Sequence, residues 1–319
     1  MSPLVSFVIP VRNDATRLQL CLASVLGNDF ARERIEVLVV DHGSTDGTVD
    51  TARAAGAVVL NGSGYSVAAL RNQGAGEAGG EILAFVDADH QIDKHWVQTA
   101  VEILADPQVG ATGSDYSTQP SPTWVQRQYD SLRRRPHRRE EVTWLGSGNM
   151  AMRSAVFRQV GGFDSSLTAC EDVNLCNRVR RAGYRIVADP GLRSVHYGDP
   201  ITLKALFFGE LWRGRDNIRV TLSGPRTLRD LRSAIIPIAN LILLVAAAFA
   251  VAVGNLPLAL VFIGTAMVPA AIRATTMVRR QPQGGFRVAA QSLAVALVFD
   301  FARALALVAR GSHRGRRAA

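Results

Sequence analysis

The sequence predicts an α/β fold with a mostly parallel sheet, followed by an apolar helical hairpin and a further apolar helix. Three observations carry this expectation. The first half alternates short apolar runs with segments of helical periodicity, the pattern of parallel strands joined by helical crossovers. Polar residues cluster directly after three of those runs. Residues 233–272 hold no charged side chain, whereas the chain before them mixes acidic and basic residues as a water-exposed domain does.

The strand candidates are residues 5–9, 36–40, 57–60 and 82–86, each a continuous apolar run of the kind expected for strands covered on both faces. Between the first two, Leu18, Leu22, Val25 and Leu26 recur at helical spacing, and Gly27 supplies a stop. The polar clusters are Arg12-Asn13-Asp14, residues 41–46 and residues 87–90. Ligands of open α/β sheets bind outside the carboxyl ends of the strands, so these clusters should converge on one nucleotide-sized crevice. Further on, Glu171-Asp172 opens a helical series through Val173, Cys176 and Val179 that stops near Gly183, and residues 185–188 read as a strand before the turn Asp189-Pro190-Gly191. Residues 203–212 read as an amphipathic interfacial helix.

Composition excludes several classes. The net charge is +9, but the arginines gather at residues 133–139 and 226–232, at Arg279 and Arg280 and in the tail, and three of these clusters flank apolar segments. That placement records membrane topology and attraction to anionic lipid rather than a nucleic-acid partner. The run at 133–139 reads as a solvated loop. Cys21, Cys170 and Cys176 show no C-x-x-C spacing and read as reduced thiols, and the N-terminus lacks the basic start of a signal peptide. The G-x-G-x-x-G fingerprint is missing after the first strand, which argues against a nicotinamide or flavin enzyme.

Residues 233–253 suffice for a hydrocarbon core that needs about 20 residues, and 256–272 form a second, shorter span behind the turn Gly254-Asn255. Arg229, Arg232, Arg273, Arg279 and Arg280 then lie on one side, which the positive-inside bias makes cytoplasmic together with the catalytic domain. Residues 288–309 contain Asp300 and Arg303 and predict an interfacial or bundle-packed helix with those two paired, in preference to a third span. The expected organisation is a catalytic domain over 1–225, with the interfacial helix near 203–215, a membrane region over 233–310 and a basic tail over 311–319.

Two acidic constellations carry the chemistry. Asp87-Ala88-Asp89 follows an apolar run, and residues two apart on an extended chain point the same way, so both carboxylates can face one hard cation bridging a diphosphate. Glu171-Asp172 sits in the first turn of its helix, where it can complement the helix dipole or supply a general base tuned by its neighbour. Gly146-Ser147-Gly148-Asn149 reads as part of an acceptor floor or as a turn before a strand, and His196 as a metal ligand or a satisfied structural residue.

Residues 5–10, residues 39–48, Arg71-Asn72-Gln73-Gly74, Asp87-Ala88-Asp89, and Gly161-Gly162-Phe163-Asp164 with Glu171-Asp172 resemble, in order and separation, the family-2 inverting glycosyltransferases of GT-A fold. The resemblance covers residues 3–196. It implies a nucleotide-sugar donor and a divalent metal, Mg2+ or Mn2+. Pro10 and Arg12 would border the nucleotide, Asp41 would bond base or ribose, and Asp46 would brace that loop. His42 stands where a second Asp is frequent, which bears on nucleotide preference. Arg71 would lie near the donor phosphates, Asp87 and Asp89 near ribose and metal, and His196 is a third ligand in some members. Asp172 resembles the catalytic base, with Glu171 supporting it. Residues 210–215 match the Q-x-x-R-W motif of processive synthases neither in order nor in spacing, so a single-sugar transferase is preferred to a polymerase. The membrane segments make a lipid-linked or envelope glycan the expected acceptor at an inner membrane. A noncatalytic nucleotide-sugar-binding scaffold and a transporter with an appended domain are the rival readings.

Overall fold

The computed structural model describes residues 4–63, 66–133, 136–224, 228–281 and 285–309, so the basic tail 311–319 and the boundary at residue 225 lie outside the described residues. The chain divides into two compact units: Met1–Pro122 with Arg133–Asp199, and Thr123–Leu132 with Pro200–Ala319.

The first unit starts with β1 (Val5–Val11), α1 (Ala15–Leu26), β2 (Ile35–Asp41), α2 (Thr48–Ala54), β3 (Val58–Asn61), α3 (Val67–Glu77) and β4 (Ile82–Val86). These four strands run parallel in the order β3-β2-β1-β4, as expected from their apolar runs. Every residue of β1 is buried, because both faces are covered. Phe7 and Ile9 face a layer containing Leu18, Leu22 and Trp96, while Val8 faces Leu83, Phe85, Met150 and Met152 on the other side.

The chain then adds β5 (His90–Ile92), α4 (Trp96–Leu104), β6 (Val109–Gly113) and β7 (Tyr116–Thr118). After α5 (Trp124–Asp130), which belongs to the second unit, it returns as β8 (Glu140–Glu141), β9 (Asn149–Arg153), α6 (Ser154–Gln159), α7 (Glu171–Arg181), β10 (Arg185–Ala188) and β11 (Ser194–His196). The sheet is extended to β3-β2-β1-β4-β9-β6-β10-β8, with β9 antiparallel to both its neighbours. A separate ribbon, β5-β11-β7, pairs β11 antiparallel with β5 so that His196 stands opposite His90. Asn149 secures this region: it accepts from Trp96 Nε1 at 2.9 Å and donates to the carbonyls of Ser114 (3.0 Å) and Leu192 (2.8 Å).

The second unit is helical: α5, α8 (Leu203–Arg213), α9 (Asn217–Ser223), α10 (Leu228–Ala252), α11 (Leu256–Arg279) and α12 (Gly285–Ala306). Among the described residues, three helices are long and apolar enough to cross a membrane, α12 included. Gly254 at φ 76° turns the chain between α10 and α11, and the Asn255 side chain caps α11 by accepting from Leu258 N at 3.1 Å. Ile242, Val245, Phe249 and Leu260 are more than 60% exposed, an outward apolar face suited to hydrocarbon.

The expected Asp300 and Arg303 pair does not form. Asp300 accepts from Arg273 of α11 at 2.9 Å, and Arg303 donates to Glu210 of α8 at 2.7 Å. The two residues sit on flanks of α12 that pack against different helices, so each meets a buried opposite charge across the interface before it meets its own neighbour. Glu210, wholly buried, also accepts from Tyr129 of α5 at 2.7 Å and from Arg213 at 3.0 Å, which ties α5, α8 and α12 together.

Replacing Asn149 by alanine strands one buried indole N–H and two carbonyls, and should cost on the order of 3 kcal/mol of stability. Denaturant unfolding followed by tryptophan fluorescence measures it; a loss below about 1 kcal/mol would show that other groups take over these bonds.

Candidate functional site

The carboxyl ends of β1, β2 and β4 open on a crevice of about 370 Å³ lined by Pro10, Arg12, Asp14, His42, Asp87 and Asp89, among others. On its rim the loop after β2 is closed by its own acids. Asp41 accepts from the amides of Gly43 and Ser44, each at 3.0 Å, and Asp46 accepts from the Thr48 amide (3.0 Å) and hydroxyl and from Ala15 N (3.5 Å). The Thr48 hydrogen bond holds Asp46 below the usual carboxylate range. Asn13, at φ 50°, accepts from Thr45 N at 2.7 Å and fastens the β1 loop to the β2 loop. His42 turns its Nδ1 to the Gly62 carbonyl, 3.2 Å away.

Arg71 of α3 lies behind this crevice rather than in its lining. It is 3% exposed, and its guanidinium spans two motifs: Nη2 meets Asp87 Oδ1 at 2.6 Å and Nη1 meets Glu171 Oε1 at 2.9 Å. The next residue does the same for the backbone. Asn72 Nδ2 donates to Phe163 O and Phe163 N donates to Asn72 Oδ1, both at 2.8 Å. Gly162, at φ 65°, leaves room for that amide, since a Cβ there would lie 2.7 Å from Asn72 Oδ1. The Arg71-Asn72 and Gly161-Gly162-Phe163 motifs, distant in sequence, are therefore one structure.

Cys170 adopts φ 61°, a conformation that L side chains seldom take, and from it α7 starts with Glu171 and Asp172 in its first turn. Ser147 donates to Glu171 at 3.4 Å. Asp172 accepts from Val173 N at 2.7 Å, and a Cβ on Gly146 would come within 4.0 Å of its Oδ2. Burial, reinforced by the neighbouring Glu171 charge, pushes Asp172 up to about 7, against the opposing pull of Arg71. Of the expected acceptor floor, Gly146 and Ser147 adjoin these carboxylates and Gly148 adjoins Asp87, whereas the Asn149 side chain is engaged in the fold.

Asp89 faces the histidines of the ribbon. One ligand atom each from Asp89, His90 and His196 lies within 4.8 Å of the others. Both imidazoles have their Nδ1 occupied, His90 by Ser194 Oγ and His196 by Asp199 Oδ1, each at 2.9 Å, which leaves Nε2 for Asp89, 3.3 Å from His196. Burial opposes charge on His196, but its hydrogen bonds to Asp199 and Asp89 outweigh it and hold the imidazole at about 9. Burial pushes His90 down to about 4, helped by the His196 charge. Asp89 is held below the usual carboxylate range despite burial, chiefly by its bond to His196. Gly198 keeps the space open: a Cβ there would lie 2.0 Å from Asp89 Oδ2 and 2.9 Å from His196 Nε2. Nitrogen and oxygen donors around a gap that one methyl would fill suit a divalent cation.

A sequence model described as Glycosyl transferase family 2 matches residues 6–161, which contain β1 through the Arg71 and Asp87-Ala88-Asp89 motifs. That half of the chain is similar to glycosyl transferase family 2. Glycosyltransferase AglE of Haloferax volcanii is 29% identical over 242 residues, covering 71% of this chain and 77% of that protein. The pre-mycofactocin glycosyltransferase of Mycobacterium tuberculosis is 29% identical over 202 residues, 58% of this chain and 41% of its own length. Mannosyltransferase PcManGT from Pyrobaculum calidifontis, solved with GDP-Man and Mn2+, matches with a TM-score of 0.60 at 19% identity over 94% of this chain and 88% of that one. The sheet is thus the expected GT-A fold, and the protein is a glycosyltransferase.

Sequence reading of this glycosyltransferase did not single out His90, Ser194, Gly198, Asp199 or Arg133 as site residues. His90 directly follows Asp87-Ala88-Asp89, and Gly198-Asp199 follows His196 by two residues, but the strand register that unites them has no linear signature. Arg133, expected in a solvated loop, is instead paired with Asp199 by both its terminal nitrogens. The reason is charge: a buried carboxylate recruits the cation within reach.

Gly198→Ala places a methyl group against both Asp89 and His196 and should abolish or weaken Mn2+ binding at least tenfold with the fold intact. Titration of Mn2+ monitored by electron paramagnetic resonance measures this, and an unchanged affinity would put any bound ion elsewhere.

Proposed function

We propose that this protein transfers a sugar, with inversion of the anomeric centre, from a nucleotide-diphosphate sugar to an acceptor hydroxyl, with Asp172 as the general base. The observation that carries the reading is the Asp172 carboxyl, raised to about 7 by burial and Glu171 beside the Asp87 and Arg71 pair at the sheet's carboxyl edge. A base poised near neutral pH accepts a proton from a hydroxyl and remains ionised in a useful fraction of molecules.

Pro10 and Arg12 border the nucleotide, Asp41 hydrogen-bonds base or ribose with its free lone pairs, and Asp46 keeps that loop closed. Asp87 reaches the ribose from the crevice wall while Arg71 fixes its orientation from behind. Asp89, His196 and His90 would hold a divalent cation, Mg2+ or Mn2+, which supplies Lewis-acid neutralisation of the departing diphosphate. The Mn2+ in the PcManGT structure supports this assignment. Glu171, paired with Arg71, disfavours negative charge on Asp172 and so keeps it basic. Gly146, Ser147 and Gly148 let an acceptor approach that base.

The sheet unit carries the transfer, and the helices α10 and α11, with α12 packed beside them, anchor it at an inner membrane with the active site cytoplasmic. Anchoring favours a lipid-linked or envelope glycan acceptor, whose local concentration it raises.

Asp172→Asn should keep donor binding and lose transfer by roughly two to four orders of magnitude. Near-normal turnover would move the base elsewhere, Glu171 being next. Because only the ionised base works, kcat/KM should rise with pH through about 7 and level off above it. At pH 5 it should stand roughly a hundredfold below the plateau. A profile flat from pH 5 to 8 would contradict the assignment.

A further inference from the structure

The proposed cation site is backed by a chain of buried groups that the transfer chemistry does not use. Asp199 is fully buried in its side chain, and its Oδ1 lies 2.9 Å from His196 Nδ1. Arg133 grips both its oxygens, Nη1 donating to Oδ2 at 2.9 Å and Nη2 to Oδ1. The same guanidinium lies 4.1 Å over the Tyr116 ring, and that ring packs against His196 and His90 at centroid separations of 4.6 and 4.9 Å. One cation thus fixes the histidine pair both through the carboxylate and through the aromatic ring.

We propose that Asp199, held by Arg133, is a positioning residue that sets the orientation of His196 so that Nε2 faces Asp89. Burying a carboxylate and a guanidinium adds little net stability, so their placement is explained better by what they orient than by what they stabilise. A ligating imidazole needs its lone pair on the metal side. A carboxylate accepting from the opposite ring nitrogen fixes that choice and raises the basicity of the ligand. Ser194 occupies the equivalent position on His90 with a neutral hydroxyl, so Asp199 acts on the more strongly polarised ligand of the two. This role rests on the cation site proposed above.

The test uses the full-length protein in lipid nanodiscs, titrated with Mn2+ alone and read by electron paramagnetic resonance of the free ion. Asp199→Ala should weaken Mn2+ binding 10- to 100-fold, the usual loss when an outer-shell partner of a metal ligand is removed. Asp199→Asn, whose amide oxygen still accepts from Nδ1, should lose less, and Arg133→Gln should fall between wild type and Asp199→Ala. Adding Asp199→Ala to His196→Ala should cause no further loss, because the carboxylate acts through the ring. Raised Mn2+ should restore turnover to Asp199→Ala, which damage to the fold would not allow. Wild-type affinity in both Asp199 variants alongside a loss in His196→Ala would overturn the positioning role and leave the cation site standing. Unchanged affinity in His196→Ala would remove the site, and this role with it.

Discussion

The site depends on the buried Arg71 guanidinium. Asp87 arrives at the end of β4 and Glu171 at the start of α7, and each carboxylate meets one nitrogen of the same guanidinium. A planar guanidinium answers both with separate nitrogens and fixed angles, which a lysine ammonium could not do. The same segment of α3 uses Asn72 to hold the backbone at Phe163, so one turn of helix sets the distance between Asp87 and the acid pair of α7.

Around that clamp, charge is graded by environment. Asp172 shares its helix turn with Glu171 and is driven toward its neutral form, while Asp89, some of whose surface remains open, is held ionised by His196. Two carboxyls on one sheet edge are thereby given opposite charge preferences. Glycines make the arrangement possible where backbone and acid approach closely. A Cβ on Gly148 would lie 2.6 Å from Asp87 Oδ2, and one on Gly198 closer still to Asp89.

The helical unit follows a different rule. Large apolar residues face outward, while Glu210, Arg303 and Arg213 form one charged knot between helices and Asp300 and Arg273 a second. Ionisable groups in such helices remain only where a partner is built in.

The sequence by itself determined the parallel core, the long apolar helices and the acidic motifs, because these depend on local periodicity and short spacing. The runs at 5–9 and 82–86 became β1 and β4 almost residue for residue, and Glu171-Asp172 opened the expected helix. What Arg71 touches, which histidine stands opposite His196, and where Asp300 finds its counter-charge were decided only by the tertiary structure. Arg71 and Glu171 lie 100 residues apart, and Arg273 and Asp300 lie on different helices. A buried charge pairs with whatever opposite charge packing brings within about 3 Å, and packing is a property of the whole chain rather than of any window of it.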